Sequence, residues 1–401
     1  MLLHRSARKP RPPLLPPGQT RRFVLLFAIA FLAHFSNQVL SYSLPNYAHA
    51  LGVPAHSVGL LSGIYAFSAL LLRPLTGQII DNENHLRLLR SLLLALSVCG
   101  LCFSFSDRYW ELTLLRGLYG LGWGLGATLC MAITAGFFSP AAMAAGLGIY
   151  NLGQLAAQLV GPAFALAAPD AFSYANLYRL NAAVLLLSAA LSFFLRPPPQ
   201  PKKPRRYSLR LSEAFYLPAL LPAALLLCNS ICRGALTAFL AIFARMLGVE
   251  GIGLFFTLQA GTTFVLRPLL PRLLERFSER RILLLCEILE GAALFLTATA
   301  SSLAQFLAAA VLLGASFAGS QPILTAACVS PASPEQRGRA SNACYIGMDI
   351  GIVLGSSCAG FLVAAVGYRF NFLLTILPLA ACSAVYFSRG RKNSPQKSPQ
   401  P

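Results

Sequence analysis

Long apolar runs broken by short polar segments dominate the chain. Twelve runs stand out: 23–46, 57–79, 88–106, 109–137, 143–166, 178–195, 217–244, 252–271, 282–300, 303–328, 341–364 and 370–388. Each is near the ~20 residues that carry a helix across the hydrocarbon core of a bilayer. In that core every backbone N–H and C=O must pair internally, so runs of this length read as helices. Membrane strands would be about 10 residues long with strict alternation, and no such alternation occurs in these runs. The pattern predicts an all-α integral membrane protein with twelve transmembrane helices.

Composition agrees. Of 401 residues 56% are hydrophobic and 11% charged, against about 25% charged in soluble domains. This excludes a soluble globular protein, and the hydrophobicity excludes general disorder. The net charge of +19 is concentrated in the even-numbered connections and both tails, which hold 24 of the 32 Lys and Arg residues. Basic residues stay on the cytoplasmic side of membrane helices, so both termini are expected in the cytoplasm. Anionic headgroups are then the expected partner of the basic segments. Nucleic acid is not, because no basic stretch is interleaved with exposed aromatics. The first run is too long for the apolar core of a cleaved signal peptide, so it reads as a retained span. The ten cysteines fall in or at the ends of apolar runs, including Cys99 and Cys102 in the third, and read as small apolar residues.

An internal repeat reorganises this list of helices. Leu72-Arg73-Pro74-Leu75 recurs as Leu266-Arg267-Pro268-Leu269, an offset of 194, and Gly120, Gly153 and Gly161 meet Gly314, Gly347 and Gly355 at the same offset. Chance apolar similarity would not hold Arg-Pro and glycines in register over so long a stretch. The expected organisation is a basic cytoplasmic tail (1–22), a six-helix bundle (23–195), a Pro-rich basic linker (196–216), a second six-helix bundle (217–388) and a second cytoplasmic tail (389–401). Two parallel repeats of this kind are a transporter architecture, with the solute site between them.

Four motifs carry a family resemblance. Between the second and third helices Gly77-x3-Asp81 is followed by Arg87 and Arg90; the second repeat offers Arg267, Glu275 and Arg276 at matching positions. The fourth helix reads Arg116-x3-Gly120-x-Gly122-x-Gly124. The fifth carries Gly148, Ala157, Gly161 and Pro162. The chain resembles the major facilitator superfamily over all but its tails. The resemblance implies two pseudo-symmetric bundles rocking about a central cavity, and a gating latch of Gly77, Asp81 and Arg73 with Glu275, Arg267 and Arg276. Arg116 matches an arginine associated in the family with proton coupling; snorkelling toward the nearby interface is the alternative. Gly120, Gly122, Gly124, Gly161 and Pro162 are expected to let helices approach closely, and the fifth-helix set resembles the motif of exporters.

Ionisable residues at membrane depth are costly and mark function. Asp349, in the eleventh run with Asn342, Tyr345 and Ser356 on one face, is the leading candidate for a group that loads and releases a proton. Arg233 in the seventh run is a substrate anchor or the partner of Asp349, although residue counts place it farther toward the outside. His34, which titrates near neutrality in water, is a candidate for coupling or for packing. His34, Asn37, Trp123, Asn229, Arg233, Gln321 and Tyr345 form the expected substrate cavity. Glu287 and Glu290 receive no role at this level.

The expected function is secondary active transport of a small solute by alternating access, first as proton-coupled export and alternatively as symport or facilitated uptake. No phosphate-cradling G-x-x-x-x-G-K-[S/T] loop is present, so an ion gradient would be the energy source, with no cofactor and no metal. The five histidines are scattered, and no catalytic or metal-binding set accompanies them, so the chain reads as no enzyme. A monomer in the cell membrane would suffice.

Overall fold

The computed structural model describes residues 19–138, 143–196, 217–333 and 336–389. The tail to residue 18, the linker from 197 to 216 and the tail from 390 lie outside the described residues. The first half comprises α1 (Thr20–Ala50), α2 (Ala55–Asn82), α3 (His85–Phe103), α4 (Tyr109–Ala135), α5 (Met143–Ala171) and α6 (Tyr174–Ser192). The second comprises α7 (Leu220–Met246), α8 (Gly253–Leu266), α9 (Leu270–Arg276), α10 (Glu279–Thr299), α11 (Leu303–Val329), α12 (Arg337–Leu374) and α13 (Ile376–Arg389).

The twelve spans map onto these helices with two revisions. The eighth span is interrupted: Arg267–Leu269 forms a 3-10 turn between α8 and α9. Pro268 and Pro271 remove backbone donors there, so the α-helical ladder cannot run through. The eleventh and twelfth spans are joined without a loop, and the chain turns at Gly367, whose φ of 83° lies in the left-handed region. The first helix also begins at Thr20, inside the segment expected to be tail. Where polar residues flank a span they close its end: the Asn84 side chain accepts from the N–H groups of Leu86 and Arg87 at the start of α3.

The repeat survives in three dimensions. Gly120 of α4 lies against the Tyr65 carbonyl and Ser68 of α2; Gly314 of α11 lies against the Gln259 carbonyl and Thr262 of α8. All three positions are related by the offset of 194. A side chain at either glycine would meet backbone, which explains why both copies keep glycine. Large apolar side chains such as Phe105, Phe194, Phe264 and Phe361 point outward. That exterior suits lipid, while Tyr119, Phe239, Phe255 and Phe372 fill the interior.

The halves meet along two antiparallel helix pairs. On one side α2 lies along α12: His56 stacks on Phe361, Gly59 abuts Ser356 and Gly360, and Gly63 abuts Ser357. On the other α5 lies along α8: Gly253 abuts Ala163, and Thr257 Oγ1 donates to the Leu159 carbonyl at 2.7 Å. These contacts all lie toward the end of the bundle opposite the chain termini. Along α2 and α12 the pairing continues toward the terminal end as far as Arg73 and Asp349.

Candidate functional site

The first half supplies a buried polar network. α1 presents His34, Asn37 and Ser41 at i, i+3 and i+7, one face of a helix. Arg116 of α4 is 3% exposed; it donates from Nη2 to Ser41 Oγ at 3.1 Å and lies over the Tyr65 ring at 4.1 Å. Its Nε and Nη1 have no hydrogen-bond partner among the described residues. Tyr65 in turn donates to Asn37 Oδ1 at 2.8 Å. Arg116 therefore does not snorkel to the interface; it is held inside the half by a hydroxyl and an aromatic face, a cation–π arrangement that strengthens away from water.

His34 sits apart from that network. Its Nε2 is hydrogen-bonded to the Tyr150 hydroxyl at 3.3 Å, and its ring meets Trp123 edge-on at 4.9 Å. The two residues border an apolar cleft with Ala30, Leu93, Leu96 and Cys130. Both expected cavity residues thus face a cleft within the first half.

Between the halves, Arg73 Nε donates to Asp349 Oδ2 at 2.7 Å, and the guanidinium lies over the Tyr345 ring at 5.0 Å. Both partners are mostly buried, with side chains 19% and 13% exposed. This is the single ion pair among the described residues. Asp349 therefore has Arg73 as its partner in place of Arg233. Arg73, grouped by sequence with the latch, engages a carboxylate of the opposite half.

Two arginines inside apolar runs of the second half, Arg233 and Arg267, have no carboxylate within ion-pair distance among the described residues. Arg233 of α7 lies over the Phe317 ring at 5.2 Å. Arg267 donates from Nη2 to Gln321 Oε1 at 3.1 Å and to the Phe317 carbonyl at 3.4 Å. Tyr42 of α1 packs on Phe256 of α8 at 4.4 Å between ring centroids, closing the space on the side away from the termini. Asn229, expected in the cavity, points elsewhere: its Nδ2 donates to Glu287 Oε1 at 3.2 Å inside the second half. Glu275 and Arg276, at the end of α9, are exposed. Gly77 lies within α2, and the Asp81 side chain lies outside what the structure describes.

Gly120 and Gly124 of α4 contact α2, at Tyr65 and Ala69, and Gly122 contacts Leu96 of α3; Gly161 of α5 contacts Gln38 of α1, with Pro162 beside it inside the helix. Sequence reasoning missed Tyr65 and Tyr150. Each is a polar tip inside an apolar run, the signal that singled out Tyr345. No group of three or more metal-ligating side chains occurs among the described residues.

Comparison with known proteins adds to this geometry. The model of the Major Facilitator Superfamily matches residues 26–251 and again 223–401. The staphylopine export protein of Staphylococcus aureus (strain Mu50) is 22% identical over 375 residues, covering 88% of this chain and 92% of that protein. Among solved structures, a POT family transporter in complex with a thioalcohol-conjugated peptide superimposes with a TM-score of 0.80 at 13% identity, over 94% of this chain and 99% of that one. A bacterial homolog of the human lysosomal transporter Spinster, inward-facing and unoccupied, gives 0.78 at 15% identity, over 95% and 99%.

Proposed function

Since the chain belongs to the major facilitator superfamily, we propose that this transporter is an exporter, moving a small organic anion or zwitterion out of the cell at the expense of a proton gradient. The observation that carries the reading is the Arg73–Asp349 pair, an ion pair at 2.7 Å joining the two halves where they must part.

The halves close at the end opposite the termini. With the basic tails and connections in the cytoplasm, that end is external and the solute path opens inward. Arg73 and Asp349 mark the inner limit of the α2–α12 seam. A proton reaching Asp349 neutralises the carboxylate and releases Arg73, so the seam loses its innermost link. Pulling opposite charges apart in a low-dielectric seam is costly; protonation removes that attraction, and Arg73, left with an uncompensated charge, favours the opened seam where water reaches it. Protonation from one side and release to the other would then bias the rocking, which is how a differential affinity drives a two-state equilibrium.

Unpaired arginines set the solute chemistry. Among the described residues Arg116 Nε and Nη1 and Arg267 Nε have no hydrogen-bond partner. Guanidinium donors in a dry site favour carboxylate or phosphate oxygens, often by two parallel hydrogen bonds. The outward direction is supported by the staphylopine exporter's similarity and by the Gly148, Ala157, Gly161, Pro162 spacing of α5. The cell membrane, with both termini cytoplasmic and the chain acting as a monomer, is part of the same proposal.

Everted vesicles loaded with acidic buffer test it directly against a panel of labelled organic anions, zwitterions, sugars and cationic drugs. Accumulation of an anion or zwitterion that collapses with a protonophore is expected. Accumulation only in right-side-out vesicles would reverse the direction, and transport unchanged in Asp349→Asn would remove the proton role.

A further inference from the structure

Away from the central seam, the second half buries two carboxylates on one face of α10. Glu287 and Glu290 are 5% and 0% exposed and three residues apart, the spacing of neighbours on a helix. Glu287 accepts from Asn229 Nδ2 on α7 at 3.2 Å and from Ser383 Oγ on α13 at 3.4 Å. Glu290 accepts from Ser316 Oγ on α11 at 3.2 Å. Among the described residues no ion pair reaches either acid.

Three buried oxygens around the acids are unsatisfied. Glu290 Oε1, Asn229 Oδ1 and Ser320 Oγ are buried with no hydrogen-bond partner among the described residues. Asn229 and Ser320 are 5% and 1% exposed. The Asn229 amide is already anchored on Glu287, and Ser320 lies one turn beyond Ser316 on the same face of α11. Unsatisfied oxygens from three helices therefore surround two carboxylates in a low-dielectric interior. Leaving them so is costly, and buried carboxylates require a compensating charge.

We infer that Glu287 and Glu290, with Asn229, Ser316, Ser320 and Ser383, form an exchangeable binding site for one monovalent cation, a proton or Na+, carried entirely by the second half. Charge balance sets the valence. The other groups facing the acids are Cys228, Cys232 and Arg233 on α7, Cys286 on α10, and Cys382 and Tyr386 on α13; α11 contributes only hydroxyls. Of these only Arg233 is a fixed cation, so two carboxylates and Arg233 leave one negative charge. One monovalent cation closes the balance; a divalent ion would overshoot it. An all-oxygen donor set suits a hard cation or a shared proton. Arg233 acts electrostatically on both Glu290 and Tyr42 of α1, so the occupancy of the site is felt at the contact between the halves.

The test needs no solute, so its outcome is separate from that of the export reading. Purified full-length protein in nanodiscs is examined in an Asp349→Asn background, which removes the carboxyl of the seam. Binding of radioactive Na+ is measured alongside the infrared carboxyl C=O band as pH is stepped between about 5 and 9, a range in which buried glutamates titrate. Saturable Na+ binding that protons displace identifies Na+; a carboxyl band that comes and goes with pH, without Na+ binding, identifies the proton. Either signal is expected to vanish in Glu290→Gln, and Na+ binding, where it is the signal, to weaken at least about tenfold in Ser316→Ala, a loss of roughly 1.4 kcal/mol in binding. Neither signal in the parent protein, a band unchanged by pH and Na+, or a signal that persists in both Glu287→Gln and Glu290→Gln overturns the inference. The first two outcomes are read without any change to the site.

Discussion

Arg73 and Arg267 occupy the same place in the two repeats and do different things. Arg73 crosses the seam to Asp349 at 2.7 Å; Arg267 stays within its own half, on Gln321 and the Phe317 carbonyl. The offset of 194 explains the difference. The position equivalent to Asp349 is Leu155 on α5, so the α5–α8 seam has the arginine without the acid. One seam is electrostatically linked and the other is held by packing and by the Thr257 hydrogen bond.

Breaking the link from either side strands a charge. Arg73→Gln and Asp349→Asn are each expected to lower the thermal unfolding midpoint in detergent, and the two effects are expected not to add. A coupling energy of ~1–3 kcal/mol is the signature of a direct pair. The double reversal Arg73→Asp with Asp349→Arg should recover much of the loss; a strictly additive cycle would show that the pair contributes nothing.

Closure at the end opposite the termini depends on backbone approaching backbone. A Cβ at Gly59 would lie 2.5 Å from the Ser356 carbonyl oxygen and 2.9 Å from the Gly360 Cα, and neither can swing aside. Gly59→Val is therefore expected to hold the α2–α12 seam open at that end, at a cost of ~1–3 kcal/mol for an overpacked contact. Thiol labelling of a cysteine placed at Ala55 should rise severalfold in this variant. Unchanged labelling would show that the seam tolerates the added side chain.

Symmetrising the seams should slow the transporter. Leu155→Asp is expected to give Arg267 a partner across α5 and α8, so that both seams carry an ion pair. Efflux from vesicles should drop, and the additional change Arg267→Gln should restore it partly. Faster efflux in the single variant would contradict the role given to the seams.

Arg116 should discriminate between solutes rather than merely support the fold. Arg116→Lys keeps the charge but loses the planar donor set and the stacking on Tyr65, and these are not interchangeable. The apparent KM for an anionic solute is expected to rise about tenfold, with a smaller change for a neutral one. An equal change for both would assign Arg116 to packing alone.

The fold was legible because its causes are local or periodic. Span length, the polarity of connections and the offset of 194 are properties of the linear chain, and a bilayer converts them directly into helices and repeats. Arg73 and Asp349 were both recognised as unusual, yet their pairing was not. Each lies 18 residues from the end of its span opposite the termini, at Ala55 and Gly367, so equal depth at 1.5 Å per residue was a usable signal. Arg233, 13 residues from Met246, lies farther out.

Glu287 and Asn229 show the other limit. Each stood out as a polar residue inside an apolar run, but helix periodicity does not say which neighbouring helix a face will meet. That choice is made when α7, α10, α11 and α13 pack, and it turns Asn229 away from the central seam and onto Glu287. The linear sequence by itself determined that the chain forms apolar helices in a repeated pattern, because hydrocarbon penalises every unpaired backbone group wherever it occurs. Only the tertiary structure decided which charges are neutralised by a partner and which are left seeking one, because that depends on contacts between residues hundreds of positions apart.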